Sequence, residues 1–479
     1  MALVFRNDSE RNCGQSTAFR DGVSSIIQVS AHKATTKASS SFRARCSNQN
    51  PMTPLRSTAA PAAQILPLPQ LSVRLLVVYF AALAPSLGTA LSAVGRLALY
   101  LTAFAFIFSS VKSSLKLNSQ LHRLWISLIL LTVSYMALST AWSSADAALA
   151  GQSWSRHARL LTIPIVVALI QSRAELVWTL RVFVAGQVFV LLSSWLLVAG
   201  VNLPWATAAA AMSQYAVFGS YLEQSMTETV LAIILWFMRD TIFGRQYRYL
   251  AVALAVIAVI HVFSSLLSRT GHLMCIAFLS YAAFLQTPKR LRALALLLPA
   301  GFLLLAYFGS SNVATRLNQA ASEVKSYRDG TAKSTSNGQR LAIVGASLTL
   351  ISDNPIFGYG AGSWNNEYVR TEGSKIVPGT ETFDNPHNVA MLWAVEGGLV
   401  GLGLLCASLV TVALTSRRLE PEWKRTFTAM LLVLVVASMF TSTIYGIGLG
   451  DFFCVGIGLM LCAASYSSAS SAQNDAPHD

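Results

Sequence analysis

From residue 73 onward the chain alternates apolar runs of about the 20 residues needed to cross a bilayer with short polar connections. The runs fall at 73–90, 92–111, 124–142, 159–171, 176–200, 225–238, 249–267, 272–287, 293–308, 388–414, 426–446 and 451–467; two of them, 159–171 and 272–287, are short and borrow residues from their flanks. The pattern changes between 309 and 387. There Val313, Leu317, Ala321, Val324 and Tyr327 recur at helical spacing up to Asp329-Gly330, and a second helical stretch, Arg340 to Ser352, ends before Asn354-Pro355. This predicts an all-α polytopic membrane protein with about 12 transmembrane helices, nine within 73–308 and three within 388–467, separated by one large, partly helical loop, 309–387. Loops this long with structure of their own are usually functional.

Residues 1–70 have no helical or strand period, are rich in Ser, Ala and Arg, and close in the Pro-rich stretch Pro61 to Pro69. They read as a disordered cytoplasmic tail, with Met52 as a second candidate start, and 468–479 reads as another cytoplasmic tail. Of the 479 residues 54% are hydrophobic and 12% charged, about half the roughly 25% charged share of a soluble domain. The net charge of +14 does not point to nucleic acid, because no compact basic face with stacking aromatics appears. It lies mostly in the tail and in short loops, as topology signals and contacts with membrane lipids require. One alternate set of loops holds Lys112, Lys116 and Arg123; Arg173; Arg239, Arg245 and Arg248; Lys289, Arg290 and Arg292; and Arg417, Arg418, Lys424 and Arg425. That set faces the cytoplasm by the positive-inside rule. The loop 309–387, with seven basic and seven acidic residues, falls on the opposite side.

Chemistry is expected where that loop re-enters the membrane. His387, in Asp384-Asn385-Pro386-His387-Asn388, stands at the boundary between loop and span, where an imidazole can act as a base near neutral pH. Arg269, in the turn Ser268-Arg269-Thr270-Gly271, sits on the same side against the charge rule. It is either a snorkelling side chain or an anion clamp. Arg156 and Arg159 begin the short fourth span, and Arg159 lies closer to the membrane. Arg340 opens the second predicted loop helix, where a cation meets the positive end of the dipole and a bound anion would relieve the conflict. Arginines and a His on one face point to a phosphate-bearing substrate, since the guanidinium fork can hold diphosphate oxygens bidentately.

Other signals are weaker. Gly358, Gly360 and Gly362 form a G-x-G-x-G run with no preceding strand, so turns near a substrate groove are expected rather than a dinucleotide site. Glu396 is a lone acid within its span, either paired with a basic residue or lining a wet cavity. His261 and His272 read as packed or interfacial. No C-x-x-C, H-E-x-x-H or D-x-D spacing occurs, so neither a metal site nor another cofactor is expected.

The segment Asn385-Pro386-His387-Asn388 through Glu396-Gly397-Gly398-Leu399-Val400-Gly401 resembles the signature of the O-antigen ligase and polymerase superfamily. Gln339-Arg340-Leu341 with Asp353-Asn354-Pro355-Ile356-Phe357-Gly358, Ser268-Arg269-Thr270, and Ala141-Trp142-Ser143 with the following basic pair also fit that family. The resemblance spans roughly residues 73–467. It implies a GT-C-like, metal-independent, inverting glycosyltransferase of the bacterial inner membrane, with its active site on the periplasmic side. The donor would be a glycan on undecaprenyl pyrophosphate and the acceptor lipid A-core. His387 would then take the acceptor proton while Arg269 and Arg340 hold the diphosphate, with Arg159 and Arg316 as further candidates. Ligation, with the single late loop and intact H-N pair in its favour, is expected over polymerisation of repeat units. Glycan attachment to protein is disfavoured, since such relatives commonly carry a sizeable extra C-terminal region. A secondary transporter is the alternative from another class. It would need a midplane site between related halves, and no convincing internal repeat is found.

Overall fold

The computed structural model describes residues 68–108, 120–207, 214–328, 336–372 and 385–474. The tail read as disordered lies outside the described residues but for its last few. Every described element is helical, and the α-helices of eight residues or more are α1 (Val73–Leu83), α2 (Thr89–Phe108), α3 (Gln120–Ser139), α4 (Ala147–His157), α5 (Thr162–Leu169), α6 (Arg173–Val198), α7 (Tyr221–Phe237), α8 (Arg248–Ser264), α9 (Arg269–Gln286), α10 (Leu298–Gly309), α11 (Ser311–Arg328), α12 (Ser336–Asp353), α13 (Trp364–Glu372), α14 (Val389–Thr415), α15 (Pro421–Ser438) and α16 (Ile447–Asn474).

Each of the twelve predicted spans contains a helix, and six are long and apolar enough to cross a membrane: α2, α3, α6, α8, α14 and α16. Val73–Ser86 and Leu298–Gly309 are apolar but shorter. The first run ends early because Pro85 turns the chain into a short 3₁₀ helix, Ala84–Ser86. α7 and α9 depart from the apolar pattern for a packing reason. In α7 the residues Gln224, Ser225, Thr227, Glu228 and Thr229 are all buried, and the helix packs on α8, α9 and α15. Protein rather than lipid satisfies them: Glu228 Oε2 lies 2.8 Å from His261 Nδ1, and Gln224 Nε2 donates to Glu228 Oε1 at 2.9 Å.

The core is organised around α16, whose span is 94% buried within the protein. A helix apolar on every face belongs inside a bundle. Small residues let neighbours approach it, as where a Cβ added at Gly458 would sit 2.9 Å from Val166 Cβ. Phe183 of α6 stacks on Phe452 at 4.8 Å. On α2, by contrast, Leu91, Val94, Leu97 and Leu101 are exposed along one face, the stripe expected to meet lipid. A second, smaller core joins the loop helices to α14: Ile343, Ala346 and Leu350 of α12 and Trp364 and Tyr368 of α13 pack with Leu392, Val395 and Tyr445.

Candidate functional site

The site is framed by a break in α14. Gly398 has φ 63° and ψ −167°, so the helix stops after Gly397 and restarts at Leu399. A helix break strands backbone donors and acceptors, and within a membrane they must find protein partners. The segment Pro355–Gly360 supplies them. Tyr359 and Gly360 donate their N–H groups to the Val395 and Glu396 carbonyls at 2.9 and 2.8 Å, and Leu399 N–H donates back to Pro355 O at 2.8 Å. The approach requires glycine: a Cβ at Gly398 would lie 2.1 Å from Ile356 O, and one at Gly358 2.5 Å from Val395 O. The G-x-G-x-G run therefore staples the loop to a broken helix.

Glu396, at the end of the first half-helix, is buried and paired: Ser153 Oγ donates to its Oε2 at 2.9 Å, and His157 Nε2 lies 2.8 Å from the same oxygen. Of its two sequence readings, pairing is the one observed. His157 in turn packs against Trp393 and Tyr445.

His387 lies just before the other end of that half-helix. Asn388 is the N-cap, its Oδ1 accepting from Met391 N–H at 3.0 Å. His387 itself adopts φ 53°, a left-handed conformation costing roughly 1–2 kcal/mol for a residue with a Cβ. It is held there from both sides. Asn385 Oδ1 accepts from His387 N–H at 3.0 Å and from Ser442 Oγ at 2.7 Å, and Asn388 Nδ2 donates to Met439 O at 3.1 Å. An Asx turn on the connection between α15 and α16 thus fixes the imidazole, which is half-buried. Burial first, and the Arg340 guanidinium second, push its pKa below the usual value, favouring the neutral ring.

Arg340 is half-buried beside it. α12 starts at Ser336, so Arg340 stands one turn inside the helix rather than at its opening, and the dipole argument made from sequence does not apply there. What opposes its charge is burial and then Arg269, with Tyr221 acting the other way, and its pKa is lowered. The dipole argument passes instead to Arg269, the first residue of α9. Ser268 caps that helix by accepting from Gly271 N–H at 3.1 Å. His272 Nε2 donates to Val262 O at 3.0 Å and its ring stacks on Phe263, tying the turn to the end of α8. Gly271 lies so close to α7 that a Cβ there would meet Ser225 Oγ at 2.4 Å. His387, Arg340 and Arg269, far apart in sequence, thus form one electrostatic neighbourhood, with Tyr221 at its edge.

Two candidates remain, Arg159 and Arg316. Arg159 is 2% exposed; its Nη1 donates to the Tyr445 and Gly446 carbonyls, and its Nε lies 3.7 Å from Asp451 Oδ1. Asp451 also takes Arg96 at 2.7 Å and the Ser92 hydroxyl at 2.6 Å. Arg159 therefore anchors the connection before α16. Arg316 falls on α11, but its side chain lies outside the described residues. Arg156, not favoured from sequence, sets its guanidinium 4.7 Å over the Tyr445 ring. Sequence reading passed over Asn385, Ser442 and Tyr221; only Asn385, two residues before the His and followed by Pro, carried a local turn signal. Among the described residues no three His, Cys, Asp or Glu side chains gather as metal ligands.

Residues 253–406 match the family model described as O-antigen ligase. The matched stretch runs from within α8 to beyond the break in α14 and lies inside residues 73–467, over which the motifs resemble the ligase and polymerase superfamily. It includes Arg269, Arg340, His387 and the glycine staple, and excludes Arg159. A comparison with curated proteins finds no match.

Proposed function

We propose that this membrane protein is an O-antigen ligase in the strict sense, moving a finished polysaccharide from undecaprenyl pyrophosphate onto a hydroxyl of lipid A-core at the periplasmic face of the inner membrane. The observation that carries the reading is the meeting of a half-buried imidazole, biased to its neutral form, with Arg340 and Arg269. Two half-buried guanidinium groups that oppose one another's charge favour a multivalent anion near them, and a diphosphate on a lipid is such an anion.

The neutral His387 ring accepts the proton of the acceptor hydroxyl as its oxygen attacks the anomeric carbon. The bond from that carbon to the diphosphate oxygen breaks, and direct displacement inverts the centre. Arg269 and Arg340 stabilise the charge that grows on the departing diphosphate, an interaction whose loss costs roughly 3 kcal/mol per good donor. The glycine staple holds the half-helix that presents His387. Arg159 takes a supporting part, keeping the connection that carries Ser442 against α16.

The test is a strain lacking this protein, with lipid-linked glycan and lipid A-core examined together. Full-length polymer accumulating unattached to the core supports ligation. Single repeat units on the core would make the chain a polymerase of the same superfamily, and normal capped core would overturn both.

A further inference from the structure

The first turns of α7 line a cleft of a different character. It is walled by the turn between α1 and α2, the first two turns of α7 and the start of α16, and its lining includes Ser86, Gln187, Phe218, Ser220, Glu223 and Gln224 with no Lys, Arg or His. Gln187 is 1% exposed; its Nε2 donates to Ser86 Oγ at 2.7 Å, and its Oε1 is buried without a partner. Whichever way the amide is turned, one end faces Ser86 and the other is unmatched. Glu223 is half-buried. Its carboxylate receives the Ser220 N–H while Ser220 Oγ receives Glu223 N–H at 3.2 Å, a reciprocal capping box. That arrangement occupies part of one carboxylate and leaves acceptor capacity toward the cleft. Phe218 adds an aromatic face.

A carboxylate, an amide acceptor and an aromatic ring, with no cation among them, form a surface for a neutral polyhydroxylated ring. The location points the same way. Tyr221, between Ser220 and Glu223 in the chain, is one of the groups that act on Arg340, so the helix turn that lines the cleft also carries a residue of the arginine neighbourhood. We propose that this cleft is a sugar subsite, taking the hydroxyls of the glycan residue attached to the diphosphate, with Glu223 and Gln187 as acceptors and Phe218 against the ring. The assignment rests on the donor class proposed above and names where that donor's first sugar is read.

The test uses the full-length protein in lipid nanodiscs and four probes: farnesyl diphosphate, and the same lipid diphosphate carrying glucose, galactose or N-acetylglucosamine. At least one sugar conjugate should bind the native protein about tenfold tighter than farnesyl diphosphate, the increment of a hydrogen bond to a charged group. Glu223→Gln keeps the capping box, since Gln serves that motif as well, and should erase the sugar's gain while leaving farnesyl diphosphate binding unchanged. Arg340→Ala should weaken all four probes alike. The subsite is refuted if no conjugate outbinds farnesyl diphosphate, if Glu223→Gln leaves the gain intact, or if it weakens all four equally. Arg340→Ala without effect would instead strike the diphosphate reading.

Discussion

Arg159 and Arg340 are two arginines drawn largely out of water, and their surroundings differ in kind. Arg159 is enclosed by two carbonyls and by Asp451, which it shares with Arg96, so its guanidinium faces acceptors within the protein. Arg340 is only half-buried, and among the described residues the groups acting on its charge are a second guanidinium, which opposes it, and the Tyr221 hydroxyl, which favours it. A matched buried charge holds a fold together. Like charges gathered at a half-buried spot oppose one another, and a spot of that kind is a candidate binding site. His387 belongs to the second environment: its left-handed backbone and shifted ring are held by Asn385, Ser442 and the cap at Asn388.

The sharpest way to break this contrast is to remove the group assigned the chemistry. His387→Ala should reduce transfer by about 10²–10⁴-fold, the range for losing a positioned base, with the thermal unfolding midpoint little changed, since Ala keeps the Cβ on which the left-handed strain depends. Activity within a few-fold of the native protein would take the base role away from His387.

The two arginines come next. Arg340→Ala, and Arg269→Lys with its lost fork, should each lower kcat/KM by about 10²-fold without loss of folded protein. Arg159→Met should do the reverse. It leaves two carbonyls without their donor and Asp451 short of one partner, a loss of about 3 kcal/mol, seen as a lower unfolding midpoint in detergent. The surviving folded enzyme should turn over normally. Equal stability losses at Arg159 and Arg340 would erase the distinction.

Much of this was legible in the sequence because local periodicity and local turn chemistry encode it. The predicted spans each contain a helix, and the recurrence from Val313 to Tyr327 falls on α11. Helix ends moved where a single residue overrode the pattern, as Pro85 does for α1. The break in α14 was read as glycine punctuation inside one span, since the groups that repair it, in Pro355–Gly360, are joined to it only through the tertiary fold. Arg159 shows the same limit. Its nearness to the membrane made it a candidate for the diphosphate, whereas it is buried near Asp451, which stands at the start of the last helix with no local signal joining the two. The meeting of Arg269, Arg340 and His387 was expected only from chemistry and resemblance, because one face of a membrane has room for many arginines that never touch.

The finest test of the comparison is pH. The His387 ring works as a base only when neutral, and burial together with Arg340 lowers its pKa in the folded protein. The acid limb of kcat/KM, which reports the free enzyme, should therefore have its midpoint below the usual His value of about 6.5. Activity would stay level from about pH 8 through that point and fall only beyond it. Arg340→Gln removes the cation but not the burial, so in its residual activity the midpoint should move up toward the ordinary value, by a fraction of a unit to about one. Arg159→Met should leave the midpoint in place, because the His387 shift comes from burial and Arg340, while Arg159 faces Asp451 and the Tyr445 and Gly446 carbonyls. A limb centred at or above the ordinary His value, or one equally sensitive to both arginines, would show that the coupling between His387 and Arg340 does not govern the reaction.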